Sequence, residues 1–201
     1  APYAAEAESA AYESALGIPS IVLESITGHL FVDAPLASRE GGYPVLMFSR
    51  GLGSPIRFYT ALLTELASQG FIIVVVDHPY SQTVSLFPDD SIVTANSAGS
   101  AVGDDDALLT VWVEDTQYAL DYLSELNTSD EILAGAFNLE RVGAFGHSFG
   151  GATSANVSLV DDRVLASLNM DGTIFGDAAQ GVAKPLMVMS APVPEVSDED
   201  L

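Results

Sequence analysis

Hydrophobic positions along this chain fall into compact runs separated by helically spaced points. Val45 to Ser49 is an apolar run between Pro44 and Gly51, which predicts a buried strand. Phe58 to Gln69 carries Tyr59, Leu62, Leu63 and Leu66 at helical spacing, and Gly70 supplies the stop. Phe71 to Val76 is apolar and β-branched on both faces, the pattern of a parallel strand covered by helices on either side. Asp104-Asp105-Asp106 opens a longer helix, where acidic residues suit the positive end of the helix dipole. Leu108, Trp112, Ala119, Tyr122, Leu123 and Leu126 are expected along its buried face. Val142 to Phe145, Val164 to Asn169 and Leu186 to Ser190 predict three more strands, with a helix over Ala152 to Leu159.

The remaining stretches are less periodic. Residues 1–24 are rich in Ala and Glu and predict a short helix ending near Gly17, followed by loop over 25–44. Residues 79–103 hold Pro79, Pro88, Gly99 and Gly103 without a period, and are expected to form a long loop or cap. Leu86, Phe87, Ile92 and Val93 are its candidates for shaping a pocket. No repeat or linker divides the chain, so residues 1–201 are expected to form a single domain. Strands alternating with helices predict an α/β fold, a mainly parallel central sheet flanked by helices. In such sheets the site lies outside the carboxyl ends of the strands.

Composition narrows the partners. Lys and Arg total 6 against 28 Asp and Glu, a formal net charge of −22. Such a surface repels a phosphate backbone, so no nucleic-acid partner is expected, and it disfavours an anionic membrane surface. No run reaches the roughly 18 apolar residues a membrane span needs, so no stable insertion is expected. Asp89-Asp90 and the acidic run Glu195 to Asp200 read as solvated faces. The absence of Cys excludes disulfides, thiolate metal sites and a cysteine nucleophile. Three His are too few for a His-rich metal site, and Asp104 to Asp106 lacks the spacing of a calcium loop; no metal or cofactor is expected. The chain opens at Ala1 without Met, as expected after removal of a signal peptide or trimming. Sequons at Asn127 and Asn156 favour secretion, and the acidic excess equally suits the cytoplasm of a halophile.

The chemistry centres on Gly146-His147-Ser148-Phe149-Gly150-Gly151. This is a G-x-S-x-G turn between a predicted strand and a predicted helix. The serine must sit on a sharp, strained turn, and the glycines give the backbones room. The helix N-terminus then offers N–H groups to a developing oxyanion. The Phe149 N–H is one expected donor. Leu52, in Ser49-Arg50-Gly51-Leu52-Gly53 after the first strand, is the other.

An acid and a histidine are needed as well. Asp77, Asp171, Glu195 and Asp198 all follow strands, and position alone does not choose among them. His147 adjoins the nucleophile and is expected to point away from it, in packing or support. His78, in Asp77-His78-Pro79-Tyr80, could line the site or shape its turn. His29 lies in an early loop with nothing to recommend it. The chain order for this chemistry is Ser, then acid, then His, and no His follows Asp171.

Four segments, in order, resemble the platelet-activating factor acetylhydrolase family, especially its microbial members. They are Tyr43 to Ser49 with Gly51-Leu52-Gly53; Leu66-Ala67-Ser68-Gln69-Gly70-Phe71; Asp77-His78-Pro79-Tyr80; and Gly146 to Thr153 followed by Asn169-Met170-Asp171-Gly172. The resemblance implies an α/β-hydrolase fold and a calcium-independent serine esterase acting on short sn-2 acyl groups of phospholipids. It implies Ser148 as nucleophile, Asp171 as acid, and Leu52 and Phe149 as oxyanion donors. It also implies a base histidine well downstream of the acid, so the base and the C-terminal part of the sheet are expected beyond residue 201. Arg50 stands where the family usually has His or Pro. A cation there could bind a substrate phosphate or pair with an acid. Two rival readings keep parts of this set: a secreted lipase, cutinase or polyester hydrolase, and a hydrolase-like scaffold without catalysis.

Overall fold

The computed structural model describes residues 3–28, 30–89, 91–94 and 105–192. Its centre is a five-stranded sheet built from β1 (Tyr43–Ser49), β2 (Ile72–Val76), β5 (Phe137–His147), β6 (Val164–Met170) and β7 (Leu186–Met189), in the order β2-β1-β5-β6-β7. Every neighbouring pair is parallel. All five carboxyl ends therefore open on one edge. The register sets Val76, Ser49, Gly146, Asn169 and Val188 in one row across the sheet. Ser148 leaves the middle strand just beyond that row, and Asp171 leaves its neighbour.

Helices α4 (Asp105–Ser129) and α5 (Phe149–Val160) pack on one face of the sheet. Val45, Met47, Val142, Ala144 and Val164 meet Trp112, Leu120, Ala152 and Val157 there, all almost wholly buried. Each large aliphatic side chain among them contributes about 1.5–3 kcal/mol by leaving water. Phe48 and Phe145 point to the other face, where Phe48 meets Tyr59 edge-on at 4.9 Å. Tyr59 ends a 3-10 turn, Ile56–Tyr59, that leads into α3 (Thr60–Ser68).

Helix α5 is buried from Phe149 to Ser158, though it holds Thr153, Ser154, Asn156 and Ser158. Its hydroxyls are satisfied on the helix itself. Thr153 Oγ1 donates to the Phe149 carbonyl at 3.0 Å, Ser154 Oγ to that of Gly150 at 2.8 Å, and Ser158 Oγ to that of Ala155 at 2.7 Å. Small residues with internally bonded hydroxyls let this helix lie close against the sheet, which fixes its N-terminus at the serine.

Several expectations shift at their edges. The N-terminal helix is α1 (Glu6–Leu16), closed by Gly17 in the left-handed region, and a short α2 (Ser20–Ser25) follows it. The 79–103 segment is not all loop: β3 (Val84–Leu86) and β4 (Ile92–Thr94) pair as an antiparallel ribbon. Val84 packs there with Ala4, Tyr12 and Leu23 of the N-terminal segment. Residues 95–104, Asp90, His29 and the acidic run at 195–200 lie outside the described residues. On α4 the buried stripe runs through Leu108, Leu109, Trp112, Val113, Thr116, Leu120 and Leu123. Tyr122 is half exposed instead, because it follows Leu120 and precedes Leu123 by steps that turn it off that stripe.

Candidate active site

Ser148 has φ 53° and ψ −120°, a backbone conformation that non-glycine residues seldom adopt. Its N–H donates to the Met170 carbonyl at 2.8 Å, and its own carbonyl accepts from Gly151 at 2.9 Å. The glycines around it are sterically required. A Cβ on Gly146 would lie 2.3 Å from the Gly150 backbone, and one on Gly150 would lie 2.0 Å from the Ser49 carbonyl oxygen. A Cβ on Gly151 would lie 2.3 Å from Asn169 Oδ1. The elbow is thus pressed against the ends of β1 and β6, the two strands that supply the rest of the site.

The Gly51–Gly53 loop is held from below. Gly53 N–H donates to the Ser81 carbonyl at 2.9 Å, Ser54 N–H to that of Gly51 at 3.1 Å, and Thr83 Oγ1 to that of Gly53 at 2.8 Å. Leu52 stands at the tip, and its N–H has no hydrogen-bond partner among the described residues. Phe149 opens α5, so its N–H has no carbonyl within the helix to bond. Its ring is wedged edge-on between Trp112 and Phe175, with centroids 4.7 and 5.3 Å away.

Asp171 follows β6 with φ 55°. Its Oδ1 accepts the Ala191 N–H at 2.9 Å, and its own N–H donates to the Met189 carbonyl at 2.6 Å. Asn169 shapes this turn: its Oδ1 accepts from Gly172 N–H at 2.8 Å and its Nδ2 donates to the Gly172 carbonyl at 3.1 Å. Asp171 is solvent-exposed.

Neither described histidine is bonded to Ser148 or Asp171. His78 is buried, with φ 49°, and stacks flat on Trp112 at 4.0 Å. Its Nδ1 lies 2.7 Å from Asp115 Oδ2 and its Nε2 3.3 Å from Ser49 Oγ. Ser49, His78 and Asp115 therefore have the connectivity of a catalytic triad. Ser49 is only 3% exposed, however, and its carbonyl lies beneath Gly150, so no substrate reaches it. Burial pushes the His78 imidazole below its ordinary pKa, against the pull of Asp115. His147 turns the other way, with Nδ1 2.9 Å from the Tyr59 hydroxyl.

Arg50 is wholly buried and its donors are committed. Nε and Nη2 bond the Asp77 carbonyl at 3.0 and 2.7 Å, and Nη2 also bonds that of His78 at 2.8 Å. Nη1 bonds the carbonyls of Gly51 and Ser81 at 3.0 and 3.2 Å. The guanidinium lies over Trp112 and pairs with Asp77 at 3.8 Å. No N–H is left for a substrate phosphate, so of the two uses open from sequence the structure displays the internal one. Burial pulls the Arg50 pKa down to about 10, which leaves it charged at neutral pH. Asp77 is engaged by Gln82 and Arg50, away from the serine.

Three contributors are not singled out by sequence reasoning. Tyr59 reads only as an apolar helix point, and Asp115 as one acid among many. Asn169 carries a visible signal, an Asn before a strand-end Asp-Gly, which is a turn former. The sequons also change meaning: Asn156 is buried and both its amide atoms are bonded, to Ala152, Phe175 and Ala178. Asn127 is spent on the Phe137 backbone.

A parallel sheet with a strained serine between its middle strand and a buried helix defines an α/β-hydrolase. The solved ferulic acid esterase from Streptomyces cinnamoneus superposes with a TM-score of 0.81 at 30% identity, over 97% of this chain and 55% of that one. Residues 9–96 match the family model described as platelet-activating factor acetylhydrolase, isoform II. A probable 1-alkyl-2-acetylglycerophosphocholine esterase of Arthroderma benhamiae is 30% identical over 141 residues, 68% of this chain and 33% of that protein. Platelet-activating factor acetylhydrolase of Cavia porcellus is 26% identical over 184 residues, 79% of this chain and 42% of that protein. The chain belongs to the platelet-activating factor acetylhydrolase family. It spans about a third to two-fifths of the length of these curated relatives.

Proposed function

We propose that this chain carries the nucleophile, acid and oxyanion donors of a serine carboxylic-ester hydrolase. The observation that carries the reading is Ser148 at φ 53°, held between glycines that tolerate no side chain. Ser148 Oγ attacks the ester carbonyl carbon and gives its proton to a histidine oriented by Asp171. The carbonyl oxygen, now an alkoxide, is held by the Leu52 and Phe149 N–H groups. The C–O bond breaks, the alcohol leaves with the histidine's proton, and water then hydrolyses the acyl-serine. The base is proposed to lie beyond residue 201, a reading supported by the greater length of the relatives and by the absence of a described histidine at Asp171.

Short sn-2 acyl esters of phospholipids are the proposed substrates, supported by the names of the curated relatives. The ferulic acid esterase likeness favours a second reading, turnover of neutral esters in the manner of a secreted lipase, cutinase or polyester hydrolase. The test compares 2-acetyl phospholipid, a feruloyl ester and a long-chain neutral ester, using the complete gene product and its Ser148→Ala variant. Fastest turnover of the 2-acetyl phospholipid, lost in the variant, supports the first reading. Faster turnover of the neutral esters replaces it with the second. Equal turnover by Ser148→Ala overturns both, and no turnover of any of the three esters by the complete gene product leaves the hydrolase-like scaffold without catalysis.

A further inference from the structure

The Tyr59 hydroxyl stands between two groups that matter to the proposed chemistry. It accepts the Gly51 N–H at 3.1 Å, and it lies 2.9 Å from Nδ1 of His147. Gly51 directly precedes Leu52, and His147 directly precedes Ser148. One oxygen thus joins the residue before the oxyanion donor to the residue before the nucleophile, although the two belong to different strand ends.

The space around this oxygen is closed. A Cβ on Gly51 would lie 2.9 Å from His147 Nδ1 and 3.3 Å from the Tyr59 hydroxyl. The Tyr59 ring is fixed edge-on against Phe48 at 4.9 Å and lies 5.8 Å from the His147 ring. The turn that carries it is anchored in its own right. Arg57 Nε and Nη2 hold the buried Glu8 carboxylate at 2.9 and 2.8 Å, and Thr60 Oγ1 donates to the Arg57 carbonyl at 2.8 Å. A phenol has one proton and two lone pairs. After accepting from Gly51 it can still donate to Nδ1 or accept from Nδ1–H, so the link to His147 holds in either imidazole tautomer.

We propose that Tyr59 is a positioning residue for the oxyanion hole. It fixes the spacing between the Leu52 N–H and the Ser148 elbow through its bonds to Gly51 and His147. This inference rests on the serine-esterase reading above. A donor displaced by a fraction of an ångström still lets substrate bind, because the ground-state carbonyl makes little use of it. The loss falls on the transition state, where the oxyanion forms. Removing an oxyanion donor outright costs about 100- to 1,000-fold in kcat. Loosening one is expected to cost less, on the order of tenfold.

The test is Tyr59→Phe in the complete gene product, which keeps the ring and removes only the hydroxyl. The expected result is a fall in kcat of about tenfold with KM within about twofold. Inhibition by a trifluoromethyl ketone, whose adduct carries the oxyanion, should weaken by the same factor as kcat/KM. Amide hydrogen exchange over residues 50–53 should accelerate, with a modest fall in melting temperature because the Gly51 N–H loses its partner. Unchanged kcat, or parallel losses in kcat and KM with a large fall in melting temperature, would overturn the inference. Ser148→Ala is assayed beside it. If that variant is inactive while Tyr59→Phe behaves as wild type, the positioning role alone fails. If Ser148→Ala stays active, the esterase reading fails with it.

Discussion

The Ser148 N–H donates to the Met170 carbonyl at 2.8 Å, so the proposed nucleophile is bonded to the residue just before the proposed acid. A Cβ on Gly172 would stand 2.2 Å from the Ser148 carbonyl oxygen, which makes the contact between the two turns closer still. The elbow and the acid turn are therefore one rigid piece.

Gly172→Ala should break that piece. Its Cβ meets backbone, not a flexible side-chain end, so one turn must move. The expected cost is about 1–3 kcal/mol in stability with loss of ester turnover. Urea unfolding alongside an activity assay measures both, and an active variant of wild-type stability would contradict the contact.

Gly150→Ala tests the opposite side of the elbow. Its Cβ would stand 2.0 Å from the Ser49 carbonyl oxygen and 2.4 Å from that of Arg50. A loss of at least about 2 kcal/mol is expected, at the upper part of the range for overpacking. The melting temperature reports it directly.

Arg50→Ala separates an internal cation from a phosphate binder. The substitution strands the carbonyls of Asp77, His78 and Ser81 in the interior and leaves Asp77 without its cation. Destabilisation of about 3–5 kcal/mol is expected. Lys does not restore it, because one ammonium cannot reproduce the guanidinium fork. A folded Arg50→Lys chain with a raised KM only for phosphate-bearing esters would contradict this assignment.

His78 gives the chain a pH dependence with a defined sign. Burial lowers its pKa in the folded state. As pH falls through about 6.5 the unfolded chain takes up a proton that the folded chain resists, so stability declines below that pH. Asp115 and Asp77 favour the charged form and Arg50 opposes it, and the lowered value is the balance. His78→Asn should flatten the slope of unfolding free energy between about pH 5 and 6.5. An unchanged slope would show that other groups set it.

Local constraints make the central features legible in the sequence. The Gly146 to Gly151 turn reads plainly because its strain demands glycine at fixed offsets. Ile72 to Val76 reads as a parallel strand because both of its faces are apolar. What the pattern hides are meetings between distant segments. Asp115 finds His78 only because α4 crosses the end of β2, and Tyr59 reaches His147 across 88 positions of chain. The β3–β4 ribbon stays hidden because three-residue strands carry too few alternations to show a period. Arg50 is ambiguous for a physical reason: the sequence shows a cation but not whether carbonyls surround it.

The most direct measurement is labelling with a fluorophosphonate probe, on this chain and on the complete gene product, read by intact mass and peptide mapping. The account predicts one adduct in the complete product, on the peptide bearing Ser148, lost in Ser148→Ala and faster with the downstream base than without it. An adduct on another serine, Ser49 included, or no adduct in either form, would contradict it.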